Sequence, residues 1–310
     1  NNFEAKTAKK ISETLNYKWK FIESSQLKIK EFYQSEFFQK YFKNNIDGCA
    51  TPGIQDIYPI HKLKTMNYFT KDDIIINGNS GDFISGGHIP KEAVAWKEIT
   101  NNIIDEALEI HIKKHYNLWE QLNSNKNQQI IKKLLKNQAS SYINYNKNYI
   151  PVYKILEFLE QNNRQVKFVI NLQRIYDFYN INWLLPLWNK EVIEFWSEVP
   201  LQEKIDQKLY TDTLNELNLG NVWTKEFTSK PYTSPNWLAP IRIIFKGLHM
   251  YAGKIKWHKF EKKYFNYWTD NILGYSMFNY KDIIKNNNEA RNSVSWHTLY
   301  SEKLLFDNTW

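Results

Sequence analysis

Over 310 residues the chain is 42% hydrophobic and 16% aromatic, which excludes an intrinsically disordered protein and allows one large domain or two smaller ones. No apolar run reaches the ~18 residues of a membrane span, the polar N-terminus lacks a secretory signal pattern, and the lone Cys49 rules out an internal disulfide, in keeping with a reducing cytoplasm. The formal charge of +8 admits nucleic acid, an anionic surface or acidic small substrates, but the lysines are scattered among the Asn, Ile and Tyr of A/T-rich codons, so base composition accounts for much of it and no nucleic-acid partner is expected.

Phe3, Ala8, Ile11 and Leu15 stand at helical spacing and predict an amphipathic helix over 2–15. Tyr17, Trp19 and Phe21 alternate with Lys18 and Lys20, which predicts a short strand. Residues 25–43 read as helix, and 44–53 as a loop by their Asn, Gly and Pro content. A helix over 54–66 follows, with Pro59 set to kink or delay it. Ile74, Ile75 and Ile76 mark a buried parallel strand over 73–77. This succession is the rhythm of an α/β sheet with crossovers. Beyond Pro90 the pattern turns helical, with helices expected within 91–121 and over 129–142, 152–162, 165–178, 189–198 and 203–218. The WLLPLW segment at 183–188 interrupts them. Residues 220–236 read as a loop, and the chain from 237 onward is aromatic, basic and mostly helical.

The stretch 72–90, DDIIINGNSGDFISGGHIP, carries the most chemistry. Four glycines (Gly78, Gly81, Gly86 and Gly87) and one carboxylate, Asp82, follow the predicted strand. Glycine lets backbone approach a ligand, and ligands of open α/β sheets bind beyond the carboxyl ends of strands. A single acid there suits Mg²⁺ beside phosphates, and the plainer alternative is a tight turn capped by Asp82. Elsewhere, His111 and His115 lie at i, i+4 and could share a metal, though no third ligand is evident. His88 reads as a structural histidine, and Cys49 has no adjacent His to make it a nucleophile.

Gly78, Asp82, Gly86 and Gly87 fall in register with the S-G-E/D-G-x-D-E-L-F-G-G-Y loop of asparagine and β-lactam synthetases, so the stretch resembles their C-terminal, ATP-dependent domain. Further blocks follow in order. Arg174, Pro186, Val192, Glu194, Phe195 and Pro200 resemble a second signature, Lys204, Lys208 and Leu209 a third element, and VWTKEF at 222–227 a segment carrying a catalytic lysine, here Lys225. The resemblance covers about residues 1–235 and is nearest to divergent members associated with surface-polysaccharide assembly. It departs where family acids are replaced by Asn79, Asn182 and Asn189, where Leu184 replaces an Arg, and where Phe83 replaces the acid after the loop Asp. The family's S-G-G-x-D-S loop is absent from these residues, and the resemblance leads one to expect it, with an apolar strand, just before Asn1.

The resemblance implies a Rossmann-like parallel α/β sheet of the PP-loop type (adenine nucleotide alpha-hydrolase) followed by a largely helical region. It divides the chain into a nucleotide-binding part over 1–90, a helical remainder over 91–236 and a C-terminal extension over 237–310. It implies an ATP-dependent amidotransferase or ligase that adenylates a carboxylate, possible substrates including an acidic sugar of surface-polysaccharide biosynthesis, and then transfers nitrogen to it. ATP and Mg²⁺ would be its cofactors, Gly78, Asn79, Ser80, Gly81, Asp82, Gly86 and Gly87 its binding loop, Asp82 the metal ligand, and Lys225 with Arg174 its catalytic cations. Asp82 and Lys225 should then face one cleft. Implied partners are a carboxylate substrate, a nitrogen donor and a glutaminase. The replaced acids favour the alternative of a synthetase-like binding or scaffold protein without catalysis.

Overall fold

The computed structural model describes residues 3–146, 150–223, 237–270, 272–286 and 290–306. The N-terminal segment is α-helical: α1 (Phe3–Thr14), α2 (Gln26–Tyr33), α3 (Glu36–Asn45) and α4 (Ile57–Thr65). The expected helix over 25–43 breaks in two because Ser35 leaves helical geometry, and its hydroxyl accepts the Phe38 N–H as an N-cap. Pro59 is tolerated because it occupies the first turn of α4, where N–H groups have no intrahelical acceptor.

Two three-residue strands follow, β1 (Ile74–Ile76) and, about a hundred residues later, β2 (Asn182–Leu184). They pair in parallel, Ile74 opposite Asn182, Ile75 opposite Trp183 and Ile76 opposite Leu184. Between them lie α5 (Gly81–Ile84), α6 (Asn101–His115), α7 (Asn125–Tyr145), α8 (Tyr153–Glu160) and, directly joined to α8, a π-helical stretch over Gln161–Ile170, then α9 (Arg174–Phe178). After β2 come α10 (Lys190–Glu198), α11 (Leu201–Lys204) and α12 (Lys208–Leu217). The C-terminal part holds α13 (Leu238–Leu248), α14 (Lys254–Tyr264), α15 (Asn266–Thr269), α16 (Ile272–Tyr275), α17 (Tyr280–Asn286) and α18 (Ser293–Phe306).

The expected Rossmann-like, PP-loop-type α/β sheet is therefore corrected: among the described residues the sheet has two short strands, and helices make up most of the rest. Alternation over Tyr17–Phe21 does not make a strand because, among the described residues, no partner strand lies beside it, and all three aromatics remain exposed. Nor is β1 buried on both faces. Ile75 and Trp183 pack inward, whereas Ile74 (52% exposed), Ile76 (69%) and Leu184 (52%) face outward. A run of three isoleucines gives no periodicity from which the faces could have been told apart.

One aromatic core joins α2, α3 and α4 to α9 and to α18. Phe32, Tyr33, Phe38, Tyr41, Phe42 and Tyr58 pack with Ile175, Tyr176, Tyr179 and Tyr300. The inner face of β1–β2 rests on it. A second, aliphatic core fills the space among α6, α7 and α8, with Leu108, Leu135, Ala139, Ile155 and Leu159 at its centre. A third gathers Trp119, Tyr275, Ile283 and Trp296. Among the described residues, no helix is long and apolar enough to cross a membrane.

Candidate functional site

The loop after β1 lies between the second core and the α10–α12 segment, and its sequence explains its shape. Asn79 N–H donates to the Asn77 carboxamide oxygen, a local turn that ends the strand. Ser80 is buried in a left-handed conformation (φ 71°), held there by its hydroxyl donating to Gln165 Oε1 at 3.0 Å. Gly86, at φ 99°, is the position where glycine is required: a Cβ there would overlap the Lys204 carbonyl oxygen. Close approaches at the other glycines are also to protein. A Cβ at Gly81 would meet Leu187 at 2.6 Å, and one at Gly87 would meet the Asp82 carbonyl at 2.9 Å and Gln207 at 3.1 Å. Of the four, Gly78 alone has open space where its Cβ would stand.

Asp82 Oδ1 accepts its neighbour Phe83 N–H at 2.9 Å, and Oδ2 accepts His88 Nε2 at 3.0 Å. The His88 hydrogen bond is the main reason the carboxyl titrates below the usual Asp range. His88 Nδ1 in turn meets Glu160 Oε1 at 2.7 Å. Burial opposes a charge on His88, but its bonds to Asp82 and Glu160 outweigh it and hold the ring above its ordinary pKa.

Glu160 is the centre of this cluster. It ends α8 on the same face as Leu156 and Leu159, and is 5% exposed. Its Oε2 accepts His115 Nε2 at 2.5 Å and lies 3.7 Å from Lys114 Nζ and 3.9 Å from His111 Nδ1. Burial raises its pKa, yet the bonds from His115 and His88 and the Lys114 charge carry it below the ordinary range. His111 and His115, one turn apart on α6, are driven the other way: burial lowers both, His111 to about 4, so both rings are neutral near pH 7. His111 Nε2 is buried with no hydrogen-bond partner among the described residues. The π-helical stretch begins at the residue after Glu160, and such widened turns recur at functional sites. Its Arg164 lies over the Phe168 ring at 4.1 Å.

A second feature sits at the carboxyl end of β1, a polar pocket of about 180 Å³ lined by Gly53, Gln55, Asp56, Asn77, Asn79, Leu172 and Ile175. Asp56 is pushed up by burial, against the Tyr176 hydroxyl that donates to its Oδ2 at 3.0 Å. The same hydroxyl accepts from Asn77 Nδ2 at 3.3 Å.

Of the residues singled out from sequence, Gly78, Asn79, Ser80, Gly81, Asp82, Gly86 and Gly87 thus form one loop, with Asn79 on the pocket and Asp82 on the histidine cluster. Arg174, on α9, pairs with Asp47 at 3.2 Å in a partly exposed ion pair. Lys225 lies outside the described residues. Sequence reasoning noticed His111 and His115 but missed Glu160. The signal was an acid in register with the apolar face Ile155, Leu156 and Leu159, where a solvated carboxylate has no place. No family model, no curated protein and no solved structure matches the chain.

Proposed function

We propose that the chain acts as an ATP-dependent, amide-forming ligase that activates a small carboxylate. What supports the reading is one observation: the blocks that resemble synthetase motifs, though far apart in sequence, meet in space. β1 pairs in register with β2, Gly81 packs on Leu187, and Gly86 packs on Lys204. The pocket beyond β1 lies where ligands of parallel strands bind. Its ~180 Å³ falls below the ~300 Å³ at which pockets for drug-sized molecules begin, so it accommodates a carboxylate or amide group and not a whole nucleotide. Asp82, anionic and with a 65% exposed side chain, fits the single-carboxylate donor set of a Mg²⁺ ion that takes its other ligands from phosphate and water. Mg²⁺ would supply charge neutralisation on phosphate. The chain's own residues hold Asp82 in place through His88 and Glu160, and Asn77 and Asn79 offer amides to orient a substrate, though neither can act as a base.

A binding protein without catalysis is the second reading. Asn79, Asn182 and Asn189 stand where the resembled motifs carry acids, and Asp82 already spends both oxygens on protein donors. Pyrophosphate release from Mg²⁺–ATP, measured with ammonia and a panel of acidic sugars, separates the two. The ligase reading expects acid-dependent release that Asp82→Asn lowers at least ~10-fold, the scale of losing one charged contact. Absence of release with every acid, together with absence of ATP binding by calorimetry, leaves the binding-protein reading in its place.

A further inference from the structure

We propose that His111, His115 and Glu160 form a site for one divalent transition-metal ion of the Zn²⁺ class. The inference is independent of the ligase reading.

The chemistry of the donors points to such an ion. Two imidazoles and one carboxylate suit Zn²⁺ and its neighbours, whereas Mg²⁺ and Ca²⁺ demand oxygen ligands. His111 and His115 stand on one face of α6 because they are one turn apart, and α8 brings Glu160 against them across the second core. One ligand atom from each lies within 4.8 Å of the others. Around a single ion at about 2.0–2.2 Å from each donor, neighbouring ligand atoms sit about 3–3.5 Å apart. His111 at 3.9 Å from the carboxylate must close slightly, and His115 at 2.5 Å must open slightly. The widest pair of ligand atoms, within 4.8 Å, must close by about 1 Å, a shift on the scale of a side-chain rotation. His111 and Glu160 are both nearly inaccessible to solvent, unlike the exposed acid clusters that are common without an ion.

Two further features fit a site. Glu160 keeps Oε1 on His88, which is itself held by Asp82, so the carboxylate is oriented by an outer shell as metal-binding carboxylates are. Beside the cluster is a cavity of about 20 Å³ bordered by Phe83, His88, Pro90, His111, Lys114 and Glu160. That is room for one water. Three protein ligands with a water-sized space beside them describe an open site, not a closed structural one. Lys114 competes for Glu160 Oε2 at 3.7 Å, but its side chain is 39% exposed and can turn to solvent.

The test is calorimetric titration of the full chain, dialysed against chelator, with Zn²⁺ at pH 7, and with Co²⁺ read by visible absorption. We expect one ion per chain, and with Co²⁺ the intense ligand-field bands of a four- or five-coordinate site. His111→Gln and His115→Gln should each weaken binding by about 100-fold or more, and His88→Gln by about 10–100-fold, as for an outer-shell partner. His258→Gln, on an exposed side chain in α14, should leave it unchanged. Circular dichroism checks that the variants fold, and the Co²⁺ spectrum of the unaltered protein gives a readout that needs no variant. No saturable binding by the unaltered protein, a Co²⁺ spectrum like that of the free aqueous ion, or affinity untouched in folded His111→Gln and His115→Gln would overturn the proposal. The cluster would then be an ion-pair network about a buried carboxylate.

Discussion

Gly86→Ala tests how the loop is built. Two costs add at this position. The backbone has φ 99°, where a side chain is strained by about 1–3 kcal/mol. The new methyl also overlaps the Lys204 carbonyl oxygen, and overpacking costs a further ~1–3 kcal/mol. Lys204 cannot easily retreat, because it is 2% exposed and its Nζ donates to Glu157 at 2.6 Å. The expected loss is therefore about 2–6 kcal/mol, a large share of the ~5–15 kcal/mol that holds most domains folded. Gly78→Ala is the matched control in the same loop. Its Cβ would meet nothing within 4 Å, so stability should hold within ~0.5 kcal/mol or rise slightly as the unfolded chain loses entropy. Urea unfolding followed by tryptophan fluorescence measures both, through midpoint and slope. Equal effects of the two substitutions would refute the reasoning, because they would mean that Gly86 does not sit against Lys204 at all.

Lys204→Met should cost about 3–5 kcal/mol by leaving Glu157 unpaired, while Lys204→Met with Glu157→Leu recovers most of it; a single variant as stable as the parent in urea would count against the buried pair. By contrast Lys190→Ala, which breaks the exposed pair with Glu194, should change stability by less than ~1 kcal/mol. His297 is buried and its pKa is lowered to about 4, so the unfolded chain binds a proton that the folded chain refuses between about pH 6.5 and 4. Stability tied to this residue is complete above pH 6.5 and is lost as pH falls through that window, by about 3 kcal/mol. His297→Leu should flatten that part of the profile in urea midpoints taken from pH 7 to 4, and an unchanged slope would show that the ring titrates normally.

The candidate site was legible in pieces. Pattern alone located α1, the β1 strand, the long helices α6 and α7 and the glycine loop, since amphipathic spacing and Gly content are local properties. It also paired His111 with His115, because i, i+4 spacing fixes their common face. Boundaries such as the break at Ser35 were missed, since a cap inside a continuous polar–apolar pattern leaves little trace. The glycines misled in a specific way. Their conformational freedom was visible, but whether it served a ligand or the protein's own packing depended on Leu187, Lys204 and Gln207, more than a hundred residues on.

By itself the sequence determined the approximate place of the longer helices, the turn after Ile76 and the absence of a disulfide, because each follows from neighbouring residues or from a count. Tertiary structure alone decided three things. It decided that two tripeptides pair as the sheet where a larger one was expected, since strand pairing is a long-range choice. It decided that Arg174 pairs with Asp47 and that Asp82 pairs with His88. And it decided that Glu160 enters the histidine pair, because a buried carboxylate has to find its cations wherever the packing of α6 on α8 puts them, and no local pattern records that meeting.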